Sequence, residues 1–407
     1  MPFKKLKLIL IYSSGLFLVL ILAFISLFKK IKFVSIEADN YGHFAYAINN
    51  YLNDIKLKNI KENEKYILWI STKKICNHFL LKKYKKIIKI YDYNIFFHVI
   101  FKTLKLLNLK SYIYTIKSWY EIEKIYYKIK PNAGYGCSFP SILNFSDDEK
   151  REGLKLLRKF GLEPDDKWVC IHNRDELFKK EINGKTVEDY HSHRNFEVQT
   201  LNGSIKTFIE NNYYVFRMGS IQKEKLRIKN DKVIDYPYCE LKSDFADFFL
   251  LSNCHLYFGS NSGTADLPRL FKRHLSYINF QTAHFFMNFC KTSPSLVKKL
   301  FCKKTKKFLS FKDMYDKKLF GISDSRIFDS LGYLHINNTE EEITELSKEV
   351  LQSIEVENYY NSKEKEAFEE YYRIANYYSI KNNKDDTAYR PLKLGKDFLM
   401  KNLYLIS

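Results

Sequence analysis

The longest apolar stretch of the chain lies near its beginning. Residues 8–28 carry no charged side chain, and lysines flank them on both sides. About 20 apolar residues cross a bilayer as a helix, whereas a secretory signal peptide has a shorter apolar core and a small-residue cleavage site. The stretch therefore predicts an uncleaved transmembrane or membrane-anchor helix within residues 1–30. A re-entrant hairpin around Ser13–Gly15 and a buried core helix are the alternatives, and the balanced lysines give no orientation.

Beyond this stretch, short apolar runs alternate with helical patterns. Strands are predicted at 31–37 and 66–70, and helices at 44–52 and 94–105. Such alternation is typical of an α/β layered architecture. Residues 131–145 contain two prolines and two glycines, which favour an interdomain connection.

The pattern is sharper in the second half of the chain. Ser146 and Glu149 have the spacing of a capping box, and the amphipathic helix that they precede should end at Gly161. A series of strands and helices follows, as in a Rossmann-like domain. The strands are predicted at 168–172, 213–218, 232–235, 255–259 and 275–280, and the helices at 201–211, 243–251 and 265–271.

We therefore expect an α/β protein with several parts, since 407 residues allow two or three domains. The predicted parts are a membrane anchor at 1–30, an N-terminal Rossmann-like domain at 31–130, a connection at 131–145, a second Rossmann-like domain at 146–340 and a helical segment at 341–407.

The charge of the chain is strongly positive, with 67 basic against 47 acidic residues. A basic chain suggests an anionic partner such as nucleic acid, acidic lipid or a phosphate-bearing substrate. Only 11 of the basic residues are arginine, in a chain also rich in Ile, Asn, Tyr and Phe, so much of the charge reflects a general bias toward lysine. The arginines are therefore informative, and eight of them lie between Arg151 and Arg273. Seven cysteines without a C-x-x-C pair fit a reducing compartment.

Basic side chains follow the predicted strands of the second domain. Arg174 follows the first strand, Arg217 ends the second, and the loop between them carries His191, His193 and Arg194. In open parallel sheets, ligands bind beyond the carboxyl ends of the strands, and arginine can clamp phosphate oxygens. A surface ion pair is the alternative for each arginine. Two histidines without a supporting carboxylate do not predict a metal site.

The loop after the fourth strand of this domain is rich in small polar residues. Its members Ser260, Asn261, Ser262 and Gly263 would let a backbone approach a ligand, and the helix after them would direct N–H groups at an anion. Capping of that helix is the alternative role. The loop is therefore a candidate phosphate-binding element.

The first domain offers one candidate for chemistry. His43 follows Gly42 after the first predicted strand, where an imidazole can act as a base near neutral pH. A solvated side chain at a helix start is the alternative. D-x-D, P-loop, nucleophile-elbow and kinase signatures are absent, and no G-x-G-x-x-G follows an early strand. No cofactor is therefore predicted, and a dinucleotide-dependent enzyme is the least favoured interpretation.

Several segments, taken in order, resemble a poorly characterised family of bacterial glycosyltransferases that is found with surface-polysaccharide genes and is expected to adopt the GT-B fold. The resemblance covers residues 32–400 and is strongest over 165–280. It departs from the family at Asp39–Tyr41, where a basic run often precedes the Gly-His pair. The segments are ADNYGHFA, PNAGYGCSFP, VCIHNRD with the later YHSHRN, YYVFRMGS and YFGSNSGTADLP.

This resemblance implies a two-domain GT-B enzyme that moves a sugar from a nucleotide-sugar donor to a glycan or lipid-linked acceptor, without a metal ion. His43 would deprotonate the acceptor. The enzyme would be anchored in the membrane with its domains facing the cytoplasm, and nucleic acid would not be a partner. The alternative is a membrane-tethered, non-catalytic protein that binds anionic lipid or nucleic acid. The implied donor-binding residues are Arg174, His191, His193, Arg194, Arg217, Ser260, Asn261, Ser262 and Gly263.

Overall fold

The chain folds into two compact units in a computed structural model. The first unit comprises Met1–Tyr126 with Phe139–Asn144, and the second comprises Tyr127–Ser138 with Phe145–Ser407. Most of the predicted connection at 131–145 lies outside the described residues. The structure describes residues 13, 15–25, 30–57, 64–118, 121–122, 125–126, 141–177, 181, 190–281, 293–356, 359–382 and 391–407.

The first unit is built on a parallel sheet. Its strands pair in the order β1-β2-β3, and a parallel bridge from Phe33 to Ile113 extends the sheet on the other side of β1. Successive strands are thus added first on one side of β1 and then on its other side, as in Rossmann-like sheets. The elements are residues 15–25 (α1), Lys30–Ile36 (β1), Tyr41–Lys56 (α2), Glu64–Ile70 (β2), His78–Ile87 (α3), Ile90–Tyr91 (β3) and Ile95–Leu106 (α4).

Both predicted strands and both predicted helices of this unit are confirmed, but α2 is longer than predicted. Polar residues after Leu52 end the apolar pattern, yet the helix continues because they are buried and paired. The Asp54 carboxylate accepts hydrogen bonds from the Tyr114 hydroxyl and from Nζ of Lys117, at 2.7 Å for the lysine. A buried carboxylate is tolerated when it is paired in this way.

The second unit contains a five-stranded parallel sheet. Its order β6-β5-β4-β7-β8 is 3-2-1-4-5 when the strands are counted along the unit, which is the Rossmann order. All five predicted strands are confirmed, and β4 and β7 at the centre of the sheet are buried throughout, as parallel sheets require. They are Trp168–His172 (β4), Tyr214–Arg217 (β5), Val233–Asp235 (β6), Leu256–Gly259 (β7) and His274–Tyr277 (β8).

The first helix of this unit begins at the predicted cap. The Ser146 hydroxyl accepts a hydrogen bond from the backbone N–H of Glu149, whose carboxylate accepts one from the N–H of Ser146. This capping box starts α5, which ends before Gly161 as predicted. Ser243 caps α7 in the same direction. The helices are Asp147–Lys159 (α5), Asn202–Glu210 (α6), Asp244–Asn253 (α7) and Asp266–Leu270 (α8).

A small antiparallel sheet was not predicted. Its strands Lys299–Cys302 (β9), Lys307–Phe308 (β10) and Tyr333–Ile336 (β11) pair in the order β10-β9-β11. The many lysines of this region hide its short apolar runs. The charged helices near the end of the chain are confirmed, and the Ser204 hydroxyl of α6 donates to the carbonyl of Ile343. The remaining helices are Phe311–Asp316 (α9), Ser325–Ser330 (α10), Glu340–Glu355 (α11), Ser362–Asn382 (α12) and Lys396–Lys401 (α13).

The described part of the predicted membrane anchor is α1, which packs on the first unit. Val19 and Leu22 lie in one buried cluster with Phe33, Trp69 and Leu104. Within the described ranges, no helix has the length and apolar character needed to cross a membrane. One side of α1 is thus buried in the first unit, whereas large apolar side chains on its other side are exposed, so α1 is not the fully buried core helix of the alternative either.

Candidate functional site

The candidate site lies at the carboxyl edge of the five-stranded sheet, where the strand order changes direction between β4 and β7. Gly259 ends β7 and pairs with His172, which ends β4. A Cβ atom on Gly259 would lie 2.3 Å from the carbonyl oxygen of His172 and 2.7 Å from its nitrogen. Only glycine therefore allows the two backbones to approach this closely. In sheets of this order, ligands bind in the crevice at this point.

A hydrogen-bond network orders the loop after β7. Nδ1 of His172 lies 2.9 Å from the Ser260 hydroxyl and 3.2 Å from the Ser262 hydroxyl. The Ser262 and Thr264 hydroxyls are 2.8 Å apart, and the Tyr257 hydroxyl donates to the carbonyl of Ser260 at 2.9 Å. Two of the four loop residues singled out by the sequence are thus held by the histidine at the end of the neighbouring strand.

The ring of His172 is neutral. Burial lowers its pKa to about 3, and the positive charges of Arg217, Arg174 and Arg194 act in the same direction. With its proton on Nε2, the neutral ring leaves Nδ1 as an acceptor that both the Ser260 and the Ser262 hydroxyl can reach. The contacts of His172 with the two hydroxyls identify it as a positioning residue, which the sequence alone does not single out.

The helix after the loop is shorter than predicted. Gly263–Ala265 forms a 3-10 turn, and α8 contains only five residues. Asp266 in its first turn pairs with Arg269 at 2.9 Å, and Arg269 also donates to the Asn261 side chain at 3.5 Å and to the Tyr277 hydroxyl at 2.9 Å. A carboxylate in the first turn removes the helix-dipole argument for anion binding. Side chains must supply that function if the loop binds an anion.

Arg217 is fully buried, and it makes five hydrogen bonds to protein acceptors. Nε and Nη2 donate to Asn173, at 3.3 and 3.2 Å, and Nη2 also donates to Gln222 at 2.9 Å. Nη1 donates to the carbonyl of Glu224 at 2.5 Å and to the carboxylate of Asp235 at 3.1 Å. Binding a ligand would break these bonds. We therefore place Arg217 among the residues that support the site, not among those that touch a ligand.

Three other cations converge at the same edge, and we call Arg174, Arg194 and Lys298 the cation cluster. Arg174 follows β4, Arg194 belongs to the loop formed by residues 190–196, and Lys298 precedes β9. Lys298 is only 2% exposed. Burial, with Arg174 and Arg194 nearby, lowers the pKa of Lys298 to about 7. A lysine in this chain carries no sequence signal of its own, so Lys298 was missed.

Neutral acceptors hold this cluster in place. Nη1 of Arg174 donates to the carbonyl of His191 at 3.0 Å and to the side chain of Asn195. Nζ of Lys298 donates to the carbonyl of Asn195 at 3.0 Å and to the side chain of Asn337 at 2.6 Å. The two cations thus fix the same loop from two sides, and these bonds neutralise neither charge.

The two histidines of this loop both contact other segments of the second unit. Nδ1 of His191 lies 2.9 Å from the carbonyl oxygen of Ser323. His193 is buried and stacks on His335 at 5.0 Å between ring centroids, close to Phe328. Burial is the main cause that lowers the pKa of His193 to about 4, so this ring is neutral. In the part of the chain that the structure describes, no group of three His, Cys, Asp or Glu side chains could hold a metal ion.

His43, the candidate of the first unit, lies in the first turn of α2. Its side chain is 70% exposed, and its Nδ1 is 3.9 Å from the Glu37 carboxylate, which follows β1. Asn40 occupies the N-cap position without a side-chain hydrogen bond. The structure thus places His43 at the carboxyl edge of its sheet, in contact with solvent.

Comparisons with known proteins give distant structural likenesses. No family model matches the sequence, and neither does any curated protein. The ADP-heptose LPS heptosyltransferase II of E. coli aligns with 80% of this chain and 100% of its own, at 11% identity and a TM-score of 0.45. The glycosyl transferase family 9 structure from Veillonella parvula aligns with 80% of this chain and 98% of its own, at 10% identity and a TM-score of 0.42. Likenesses of this degree assign no activity.

The burial of Arg217 leads to a prediction about stability. Arg217→Lys should lower the free energy of unfolding by about 3 kcal/mol, because lysine cannot serve the buried acceptors around it. Urea denaturation measures this, with the exposed Arg227→Lys as the matched control that should change little. Unchanged stability together with lost nucleotide affinity would show instead that Arg217 contacts the ligand.

Proposed function

We propose that this protein is a glycosyltransferase with a GT-B-like arrangement of two Rossmann-like domains. It would move a sugar from a nucleotide-sugar donor to a glycan or lipid-linked acceptor of a surface polysaccharide. The observation that carries the proposal is the cation cluster of Arg174, Arg194 and Lys298 at the switch point of the sheet. A nucleotide diphosphate carries the charge and the oxygen atoms that such a cluster would bind.

The proposed reaction is a displacement at the anomeric carbon of the donor sugar. An acceptor hydroxyl forms the new bond to this carbon, and the bond from the carbon to the nucleoside diphosphate breaks. Negative charge grows on the diphosphate as it leaves, so cations fixed beforehand stabilise the transition state without a metal ion. Arg174 and Lys298 are fixed in this sense, since both are tied to Asn195.

The acceptor hydroxyl must lose a proton during this displacement. We propose that His43 is the base that accepts it, because its exposed imidazole stands at the carboxyl edge of the first sheet with the Glu37 carboxylate 3.9 Å away. We also propose that the chain works at the membrane with both units in the cytoplasm, where nucleotide-sugars are made.

Binding of the donor tests the proposal most directly. Arg174→Ala should weaken nucleotide-diphosphate binding by about 30-fold or more, and Arg174→Lys should restore only part of it, because truncating a desolvated charge partner costs about 2–5 kcal/mol. The affinity for the nucleoside monophosphate should fall much less, because it lacks the second phosphate. A thermal-shift screen of nucleotide-sugars first identifies the nucleotide that binds. Titration calorimetry then measures the affinity of each variant for it.

The exposed Arg227→Ala is the matched control, and thermal unfolding of each variant checks its fold. Equal losses for the diphosphate and the monophosphate would show that Arg174 does not bind the diphosphate. Polyanion binding that depends on salt but not on Arg174 would favour the non-catalytic alternative.

The lysine of the cluster predicts a pH dependence. Its pKa is about 7 in the empty site, and a bound diphosphate should raise it, so binding takes up a proton. Donor affinity should therefore be highest below pH 7 and fall by up to about tenfold per unit as pH rises to about 8.5. The nearby His172, His193 and His335 have pKa values of about 3 to 4 and do not titrate there.

Calorimetry in buffers of different ionisation enthalpy counts the proton directly. Lys298→Met should remove the pH dependence and weaken binding at neutral pH, whereas Lys298→Arg should keep the charge and flatten the profile. A wild-type affinity that stays constant over this pH range would contradict the assignment of Lys298 to the site.

The proposed base gives a separate prediction. His43→Ala should reduce sugar transfer to membrane-extracted acceptors by about 100-fold or more while leaving donor affinity nearly unchanged. His78→Ala is the comparison variant, because His78 begins α3 at the same edge of the first sheet and is also exposed. Normal transfer by His43→Ala, or an equal loss in both variants, would remove His43 from the mechanism.

A further inference from the structure

Helix α1 has one face on the protein and another in solvent. Gly15, Val19 and Leu22 follow one another at the spacing of a helical stripe, and this stripe contacts the first unit along two turns. A Cβ atom on Gly15 would lie only 2.2 Å from Oγ1 of Thr103 in α4. The opposite side is apolar yet 42–65% exposed, and it consists of Leu16, Phe17, Leu20, Ile21, Phe24 and Ile25.

Helix α4, which packs against α1, carries exposed apolar side chains of its own. Val99 and Thr103 meet Gly15, and Phe96 and Leu106 continue the same stripe of α4 by three residues in each direction. Phe96 is 62% exposed and Leu106 is 67% exposed. We call the exposed apolar side chains of α1 together with Phe96 and Leu106 the α1–α4 surface.

The chemistry of the neighbouring residues favours an anionic lipid bilayer as the partner of this surface. Soluble proteins rarely expose six large apolar side chains on one side of a single helix, as α1 does. Lys102 and Lys105 are exposed on α4, and Lys30 follows the apolar stretch of the chain and starts β1. An apolar helix face bordered by lysines is the pattern of helices that lie in the interface of anionic membranes.

The packing of α1 decides how such a helix meets the membrane. Its buried stripe covers Phe33 and Trp69, which belong to β1 and β2 of the sheet. A helix that left this position to span a bilayer would expose those two side chains to water. We propose that the α1–α4 surface docks on anionic lipid with α1 lying in the plane of the interface. This inference specifies the proposed membrane location and does not depend on sugar transfer.

Flotation with vesicles tests the proposal on the full chain. The protein should float with vesicles that contain phosphatidylglycerol and much less with phosphatidylcholine alone. The double variant Phe17→Ser with Phe24→Ser should reduce the bound fraction by about tenfold or more, since both side chains are exposed and would enter the lipid. The matched control is Ile327→Ser with Leu331→Ser, which removes two exposed apolar side chains of the second unit and should float normally.

Two further measurements distinguish the proposal from a membrane-spanning helix and from a dimer. Alkaline carbonate should release the protein from membranes of expressing cells, and retention in the pellet would overturn the in-plane arrangement in favour of a spanning helix. Light scattering on the purified protein should give the same mass for wild type and double variant. A dimer that the double variant dissociates, with no vesicle binding by either, would show that the surface joins two copies and would overturn the proposal. Circular dichroism confirms that each variant is folded.

Discussion

The contact between Gly259 and the backbone of His172 is the constraint on which the candidate site depends. The ends of β4 and β7 lie so close together at the point where the strand order reverses that only a glycine fits between the two backbones. The residues that follow β4 and β7 therefore lie at the same edge of the sheet. Ser260 is held by the His172 ring, and Arg174 begins the connection that leaves the same edge. A shift of either strand would separate the hydroxyl loop from the cations.

The charged side chains at this edge divide into two kinds. Arg217 is buried beside the carboxylate of Asp235, so its charge is balanced within the protein. The bonds that hold Arg174 and Lys298 end instead on carbonyl and amide oxygens, which orient a cation without cancelling it. Buried charges are costly unless they are paired. The carboxylate partner and the full burial of Arg217 therefore mark it as a supporting arginine.

The sequence was informative where local rules dominate. Buried strands such as Trp168–His172 and the Ser146 cap follow from apolar runs and side-chain chemistry close to them in the chain. The sequence could not show that the Arg217 guanidinium is already hydrogen-bonded within the protein, because its partners include Asp235 on another strand. Lys298 was hidden by the abundance of lysine. The length of the uncharged stretch at residues 8–28 suggested a spanning helix, and only the fold shows that one side of α1 covers the first sheet.

The cation cluster has a consequence for the protein without its ligand. Burial and the nearby charges of Arg174 and Arg194 all disfavour the charged form of Lys298, which lowers its pKa. Removing the charge of Arg174 or Arg194 should therefore raise the pKa of Lys298. A single substitution at either arginine would thus change the pH at which this edge of the sheet loses a positive charge.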